Sequence, residues 1–231
     1  MRLRKRVVDE ALEALTRDFA TGFPAKAPLL RTVGREAEFP LVRPDGRAAD
    51  VFRLWPLLLE QGDCRPIYDQ GTDGSDLIVG VETKTWSCVI EVGRATAELS
   101  VGPRPTLHDL AQDMEEALLR LKDVVRRAGF RLLGYGIQPR TPASPQLLTP
   151  KLRYLALQEA IGSQWLKFCV TAADQVQVDM GQDDLVQQMN LINATSGAII
   201  AFTAISATIF VLVNLLADLA YAYLDPRVRF D

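Results

Sequence analysis

Histidine is nearly absent from this sequence: His108 is the one copy in 231 residues. A zinc site built on two or three histidines is therefore excluded within one chain. A serine hydrolase would have to use His108, in the first turn of an expected helix, and no serine lies in a Gly-x-Ser-x-Gly setting. Cysteine is sparse as well. Cys64, Cys88 and Cys169 are odd in number, far apart and form no Cys-x-x-Cys pair. That pattern argues against a disulfide framework and fits a reducing, cytoplasmic setting, with all three buried as small hydrophobes. No Walker A or G-x-G-x-x-G phosphate loop is present. An excess of either charge is missing too: 26 basic against 29 acidic residues leave a net −3, with no overall pull toward nucleic acid or an anionic membrane. The basic start (Arg2, Arg4, Lys5, Arg6) runs into Val-Val-Asp-Glu-Ala-Leu-Glu, where acidic residues interrupt any apolar signal region.

What is present is a globular composition, 48% hydrophobic and 24% charged. Residues 7–19 put Val7, Val8, Leu12, Leu15 and Phe19 on one helical face, which predicts an amphipathic helix packed on the body of the protein. A Gly/Pro loop follows over 21–28. Residues 34–42 alternate strictly, placing Glu36 and Glu38 on one face of a strand and Ala37, Phe39 and Leu41 on the other. A helix is expected over 50–61, with a kink allowed at Pro56, and then an antiparallel meander over 67–101. Thr106 caps a helix whose stripe runs through Leu107, Leu110, Ala111, Met114, Leu118, Leu121 and Val125, and Gly129 stops it. A strand over 131–136, a proline-rich loop, a helix over 151–161 and a β region over 166–180 complete an α+β pattern.

The C-terminal third differs in kind. No charged residue lies between Asp184 and Asp218, and 198–217 is long enough to cross a bilayer. The stretch also carries Thr203, Ser206, Thr208 and Asn214, and its flanks show no clear positive-inside bias. Two readings stay open: a buried helix or helix pair, and a membrane span.

Four carboxylates, Glu36, Glu38, Glu91 and Glu98, fall in β-type surroundings. Gathered on one open sheet face they would repel each other unless cations were present. Oxygen-only donors suit Mg2+ or Mn2+, ions that bridge nucleotide phosphates, so such a face could serve as a platform for metal–ATP. Glutamates alternating on a strand also make an ordinary solvated face. Spacing alone leaves the choice open.

Taken in order, the motifs carry a resemblance. Gly34-Arg-Glu-Ala-Glu-Phe39 resembles the Gly-x-Glu-x-Glu-Phe strand that opens the carboxylate–amine ligase domain of plant and proteobacterial glutamate–cysteine ligases. Ile90-Glu-Val-Gly-Arg-Ala-Thr-Ala-Glu-Leu-Ser100 is similar to that family's Glu-Pro-Gly-Gly-Gln-x-Glu-Leu-Ser-Gly, with one extra residue. Thr106-Leu-His-Asp109, Gly134-Tyr-Gly-Ile-Gln-Pro139 and Arg153-Tyr154 follow in the family's order. Gln175-Val-Gln-Val-Asp179 resembles its Gln-Val-Asn-Leu-Asp strand, and 184–203 its next helix. The resemblance covers 34–207. It departs at Val92, at Gly93-Arg94 and at Ala204-Ile205-Ser206-Ala207, and nothing beyond 208 is recognisable.

The resemblance implies a glutamine-synthetase-like fold, a curved antiparallel sheet backed by helices, here incomplete. It implies three segments: an N-terminal helix and loop (1–30), a ligase-like domain (31–207) and a divergent apolar end (208–231). It further implies cytoplasmic glutathione biosynthesis, in which ATP and Mg2+ activate the γ-carboxylate of glutamate as an acyl phosphate that an amine such as cysteine's displaces. By position, Glu36, Glu38 and Glu98 would be catalytic metal ligands. Glu91 would ligate metal or orient the nucleotide, Gln175 and Gln177 would hold the nucleotide near its phosphates, supported by Asp179, and Arg153 would pair with a substrate carboxylate. The alternative from a different class is a fragment or non-catalytic relative whose apolar segment meets a partner subunit, a second copy or a membrane.

Overall fold

Strand β1 (Val33–Val42) alternates its side chains and so divides a sheet into a core face and an open face. The remaining strands are β2 (Arg65–Gln70), β3 (Asp76–Glu82), β4 (Trp86–Ile90), β5 (Thr96–Arg104), β6 (Arg131–Leu132) and β7 (Asp174–Val178). All pairings are antiparallel, in the order β2-β3-β4-β5-β1-β6, with β7 also on β1. The protein is thus α+β, a seven-stranded antiparallel sheet backed by helices. The computed structural model describes residues 2–224, which fall into two compact units: 29–179, and 2–28 with 180–224.

In the sheet unit the core face is made by Ala37 and Leu41 of β1, Val79 and Val81 of β3, Cys88 and Ile90 of β4, and Ala97 and Leu99 of β5. Against it lie α2 (Trp55–Leu59) and α3 (Leu107–Arg127). Helix α3 buries Leu110, Met114, Ala117, Leu121, Val124 and Val125; of the expected stripe, Leu107 and Ala111 are exposed and Leu118 half-buried, while Ala117 and Val124 join the buried face. The Thr106 hydroxyl accepts from the Asp109 amide at 3.1 Å and so caps the first turn. At the other end Phe130 and Gly129 donate to the Val125 and Arg126 carbonyls, a Schellman closure. It needs a left-handed residue, and Gly129 supplies it at φ 78°.

Several elements are shorter than their sequence patterns suggest. The expected helix over 50–61 is a 3-10 turn, Val51–Leu54, followed by one helical turn, α2. Pro56 therefore sits in a first helical turn, where its missing N–H costs nothing, and kinks nothing. The strand expected over 131–136 pairs only at Arg131 and Leu132, because the same edge of β1 is taken from Glu38 onward by Ala173 and β7. Within 166–180, Gly162–Cys169 is 3-10 and only Asp174–Val178 is strand. Between them and the proline-rich loop lies α4 (Leu152–Ile161).

The second unit contains α1 (Arg2–Thr21) and α5 (Leu185–Leu224). The stripe of α1, expected to be covered, is exposed: Val7, Val8, Leu12, Leu15 and Phe19 are each at least 60% accessible. The apolar C-terminal stretch is one continuous helix instead of a helix pair. Its described large apolar side chains are exposed instead of buried. Positions 225–231 of the segment lie outside the described residues.

Two substitutions separate core from cap. Leu121→Ala, at a site 1% exposed, should lower stability by about 2–5 kcal/mol. Thr106→Ala should cost about 1 kcal/mol. Urea unfolding of the full chain, followed by circular dichroism, measures both.

Candidate functional site

The open face of the sheet is set by register. Glu38 stands opposite Glu98 and Glu36 opposite Ser100 across β1–β5, while Glu98 faces Val89 across β4–β5. Across β1–β7, Glu36 faces Gln175 and Gly34 faces Gln177. The residues between these (Ala37, Leu99, Cys88) enter the core. Glu91 follows β4 and reaches the same face, because its amide donates to the Thr96 carbonyl where the β4–β5 hairpin closes. Three carboxylates converge as a result: oxygens of Glu38, Glu91 and Glu98 lie within 4.8 Å of one another.

Each acid is held by a different part of the fold. Glu38 accepts the Ala173 amide at 2.9 Å while its own amide donates to the Ala173 carbonyl at 2.9 Å. Glu98 is 8% exposed and accepts the Ser100 hydroxyl at 2.9 Å. The Glu91 carbonyl takes the Thr149 hydroxyl at 2.6 Å, and the buried Lys151 ammonium donates to the Ile90 carbonyl at 3.1 Å. Gly93 packs so closely on the next segment that a Cβ would lie 2.0 Å from the Cys169 carbonyl oxygen, so no other residue fits that turn.

Electrostatics decide how the cluster is charged. Two ionised carboxylates 4.8 Å apart repel by about 3.5 kcal/mol at an effective dielectric of about 20. Three such charges are not tolerated without a proton or a cation. Burial, then the neighbouring Glu91 charge, push the Glu98 carboxyl up to about 8. Glu38 is also raised, by burial and then by Glu91 and Glu36 against the opposing Ala173 hydrogen bond. Lys151 is lowered by its own burial, and the Glu91 and Glu98 charges oppose that shift.

The remaining predicted residues are distributed around this centre. Glu36 lies next to it, but its carboxylate accepts from the Gln177 amide and is not one of the three converging groups. A cleft of about 510 Å3 is lined by Glu36, Gln177, Arg35, Ser100 and the β3–β4 turn, and excludes the three clustered acids. Gln175 and Gln177 project from β7, exposed. Asp179 accepts both the amide and the hydroxyl of Thr32, each at 2.7 Å, and so closes the end of the β1–β7 pair. Arg153 lies 3.7 Å from Asp69 and 5.0 Å from the Tyr154 ring, and it is not one of the three converging groups. Cys88 and Cys169 are buried and Cys64 half-buried, all three free.

Sequence reasoning missed the supports. Thr149, Lys151 and Ala173 come from loops with no periodic signal, and only Pro150 and the start of α4 marked that region. Thr96 was missed too: it is wholly buried, two residues from Glu98, and its hydroxyl has no hydrogen-bond partner among the described residues.

An antiparallel sheet with a helix-backed core and a triad of acids on its open face defines the class: an α+β domain built to gather oxygen donors. The profile of Glutamate-cysteine ligase family 2 (GCS2) matches residues 59–207, well over half of the sequence. The chain belongs to that family. The match includes Glu91, Glu98, Arg153, Gln175 and Gln177; Glu36 and Glu38 precede it. A protein of Rubrobacter xylanophilus with the provisional name glutamate–cysteine ligase 2-3 is 31% identical over 148 residues, 62% of this chain and 33% of that protein. The chain thus spans about a third of the length of this curated relative.

The charge state generates a pH prediction. Between about 4.5 and about 8 the folded Glu98 keeps a proton that the unfolded chain releases, so metal-free stability should fall across that window as pH rises and level off above it. Glu98→Gln should flatten this dependence in urea titrations at several pH values. A divalent cation must displace the same proton, so Mn2+ affinity should climb up to about tenfold per pH unit until about 8, read by calorimetry.

Proposed function

We propose that this chain carries the metal-binding half-site of an ATP-dependent carboxylate–amine ligase acting on the γ-carboxylate of glutamate and an amine such as that of cysteine. The observation that carries the reading is the convergence of Glu38, Glu91 and Glu98 on the open face of a family sheet. The donor set fits a hard divalent cation: three carboxylates, one of them raised in pKa by burial and then by the neighbouring Glu91 charge, with no nitrogen or sulfur donor in the cluster. Mg2+ with ATP would supply charge neutralisation and an activated phosphoryl group for making the carboxylate reactive.

The chain's own residues divide the remaining work. Glu38 and Glu98 sit across one strand pair, so the sheet fixes their separation before any ion arrives. Glu91 closes the triad from the hairpin that Thr149 fastens. Glu36 and Gln177 present a joined carboxylate and amide beside the triad, suited to orienting a polar ligand in the adjoining cleft. Arg153 is turned to Asp69, so a role on the glutamate α-carboxylate requires it to leave that pair.

A second reading, a relative that binds metal or nucleotide without turnover, draws support from Arg153 being engaged by Asp69. Calorimetry of the full chain with Mg-ATP, beside glutamate- and cysteine-dependent phosphate release, separates the two. Glu38→Ala and Glu98→Gln should each weaken Mg-ATP binding at least tenfold. Binding without phosphate release supports the second reading. No magnesium-dependent binding by the folded chain overturns both.

A further inference from the structure

Helix α5 has the dimensions and surface of a lipid-facing rod. It is the helix among the described residues that is long and apolar enough to cross a membrane, over Leu185–Leu216, and none of its most apolar window is buried. Large side chains occupy every side of it, including Ile199, Ile200, Phe202, Ile205, Leu212 and Val213, each more than half exposed. A soluble surface helix has one apolar stripe; a helix apolar all round requires a fully apolar environment. Residues 198–217 would rise about 30 Å, the thickness of a hydrocarbon core. The hydroxyls on this stretch are compatible with lipid. Thr203 donates to the Ile199 carbonyl at 2.9 Å and Thr208 to the Ala204 carbonyl at 2.8 Å, so neither is left unsatisfied.

An independent observation from the same unit fixes the occupant and the direction. The loop after α1 is tied to the start of α5: Gln182 donates its amide to Pro24 and its side chain to Phe23, and the Ala27 amide donates to Asp183. Helix α1 therefore stays on the side of the bilayer where α5 begins. It has an exposed apolar stripe and a cationic first turn, Arg2, Arg4, Lys5 and Arg6, the make-up of a helix lying at an anionic lipid surface. With Arg17 and Lys26, six basic residues precede the span on that side, against Arg227 and Arg229 after it. Linear flanks hid this asymmetry, because α1 is remote in sequence and adjacent only through the loop. Tyr221 and Tyr223 follow the apolar run where an interfacial belt is expected.

We propose that the unit formed by α1 and α5 is a membrane anchor: α5 crosses the bilayer, and α1 lies on the cytoplasmic leaflet. This inference is independent of the ligase reading.

Full-length protein made in bacterial cells is separated into membrane and soluble fractions, and the membranes are washed with high salt and then alkaline carbonate. The expected result is retention through both washes, and loss of retention in Ile205→Arg with Leu212→Arg. Those positions are exposed on a helix, and unchanged circular dichroism and urea midpoint establish that the sheet unit still folds. Lys5→Glu with Arg6→Glu should leave carbonate resistance intact. It should also reduce co-flotation of detergent-free translation product with phosphatidylglycerol-containing vesicles relative to phosphatidylcholine vesicles. A wild type that stays soluble without detergent, as monomer or as oligomer of this chain, overturns the proposal, as does release by salt alone or equal retention of the double arginine variant.

Discussion

Like charges brought together by strand register are the constraint on which the sheet unit turns. Alternation along β1 and β5 is obligatory once Ala37, Leu41, Ala97 and Leu99 enter the core, and the intervening Glu36, Glu38 and Glu98 then have to share the other face. The hydrophobic core thus stabilises an electrostatically unfavourable arrangement it cannot avoid. A one-residue slip would relieve the carboxylates only by moving the apolar set into water, a far larger loss spread over the strand pair. Burial and the neighbouring charge raise the Glu98 carboxyl to about 8, so the residual strain is eased locally by protonation, and a cation would compete with that proton for the same oxygens.

The same logic explains why so many backbone contacts concentrate behind the triad. Within a few residues of the hairpin at 91–95, the Val92 and Glu91 carbonyls accept the Thr149 amide and hydroxyl, the Arg94 amide donates to the Leu147 carbonyl, and the Lys151 ammonium donates to the Ile90 carbonyl. Repelling side chains tend to spread, and a hairpin free to hinge would let Glu91 leave. Fastening it to the 147–151 segment converts a flexible loop into a support of nearly strand-like definition. Lys151 contributes a buried positive charge close enough for both Glu91 and Glu98 to act on it.

Much of this was legible in the sequence, for reasons that can be named. Alternation at 34–42 gave the faces of β1, and the Thr106 cap, apolar stripe and Gly129 stop bounded α3 to within a residue. Those signals are local, and local physics decides them. Glu91 joining Glu38 and Glu98 while Glu36 stands aside was not legible, because it depends on hairpin closure and on Gln177, 141 residues away. The shortened strands at 131–136 and 166–180 failed for a related reason: β propensity marks residues that can pair, and pairing needs a free edge, whereas β6 and β7 divide one edge of β1 between them. The exposed stripe of α1 reads as a core-facing pattern because amphipathicity records that an apolar surface exists, not what covers it.

The departures from the family's glycine-rich turn bear on whether the site survives its divergence. Where the family motif has two glycines, this chain has Gly93-Arg94, and an arginine in a ligand-facing turn would crowd the acids. Its side chain instead leaves the open face, pairing with Asp50 at 2.6 Å and lying 5.5 Å from the Phe52 ring. Only the first glycine is sterically obligatory, since it alone meets the Cys169 carbonyl. The substitution therefore extends the hairpin's attachment to the helical side of the sheet without altering where Glu91 and Glu98 emerge. Divergence has been tolerated at the position whose side chain can point away from the triad, and not at the position whose backbone holds it.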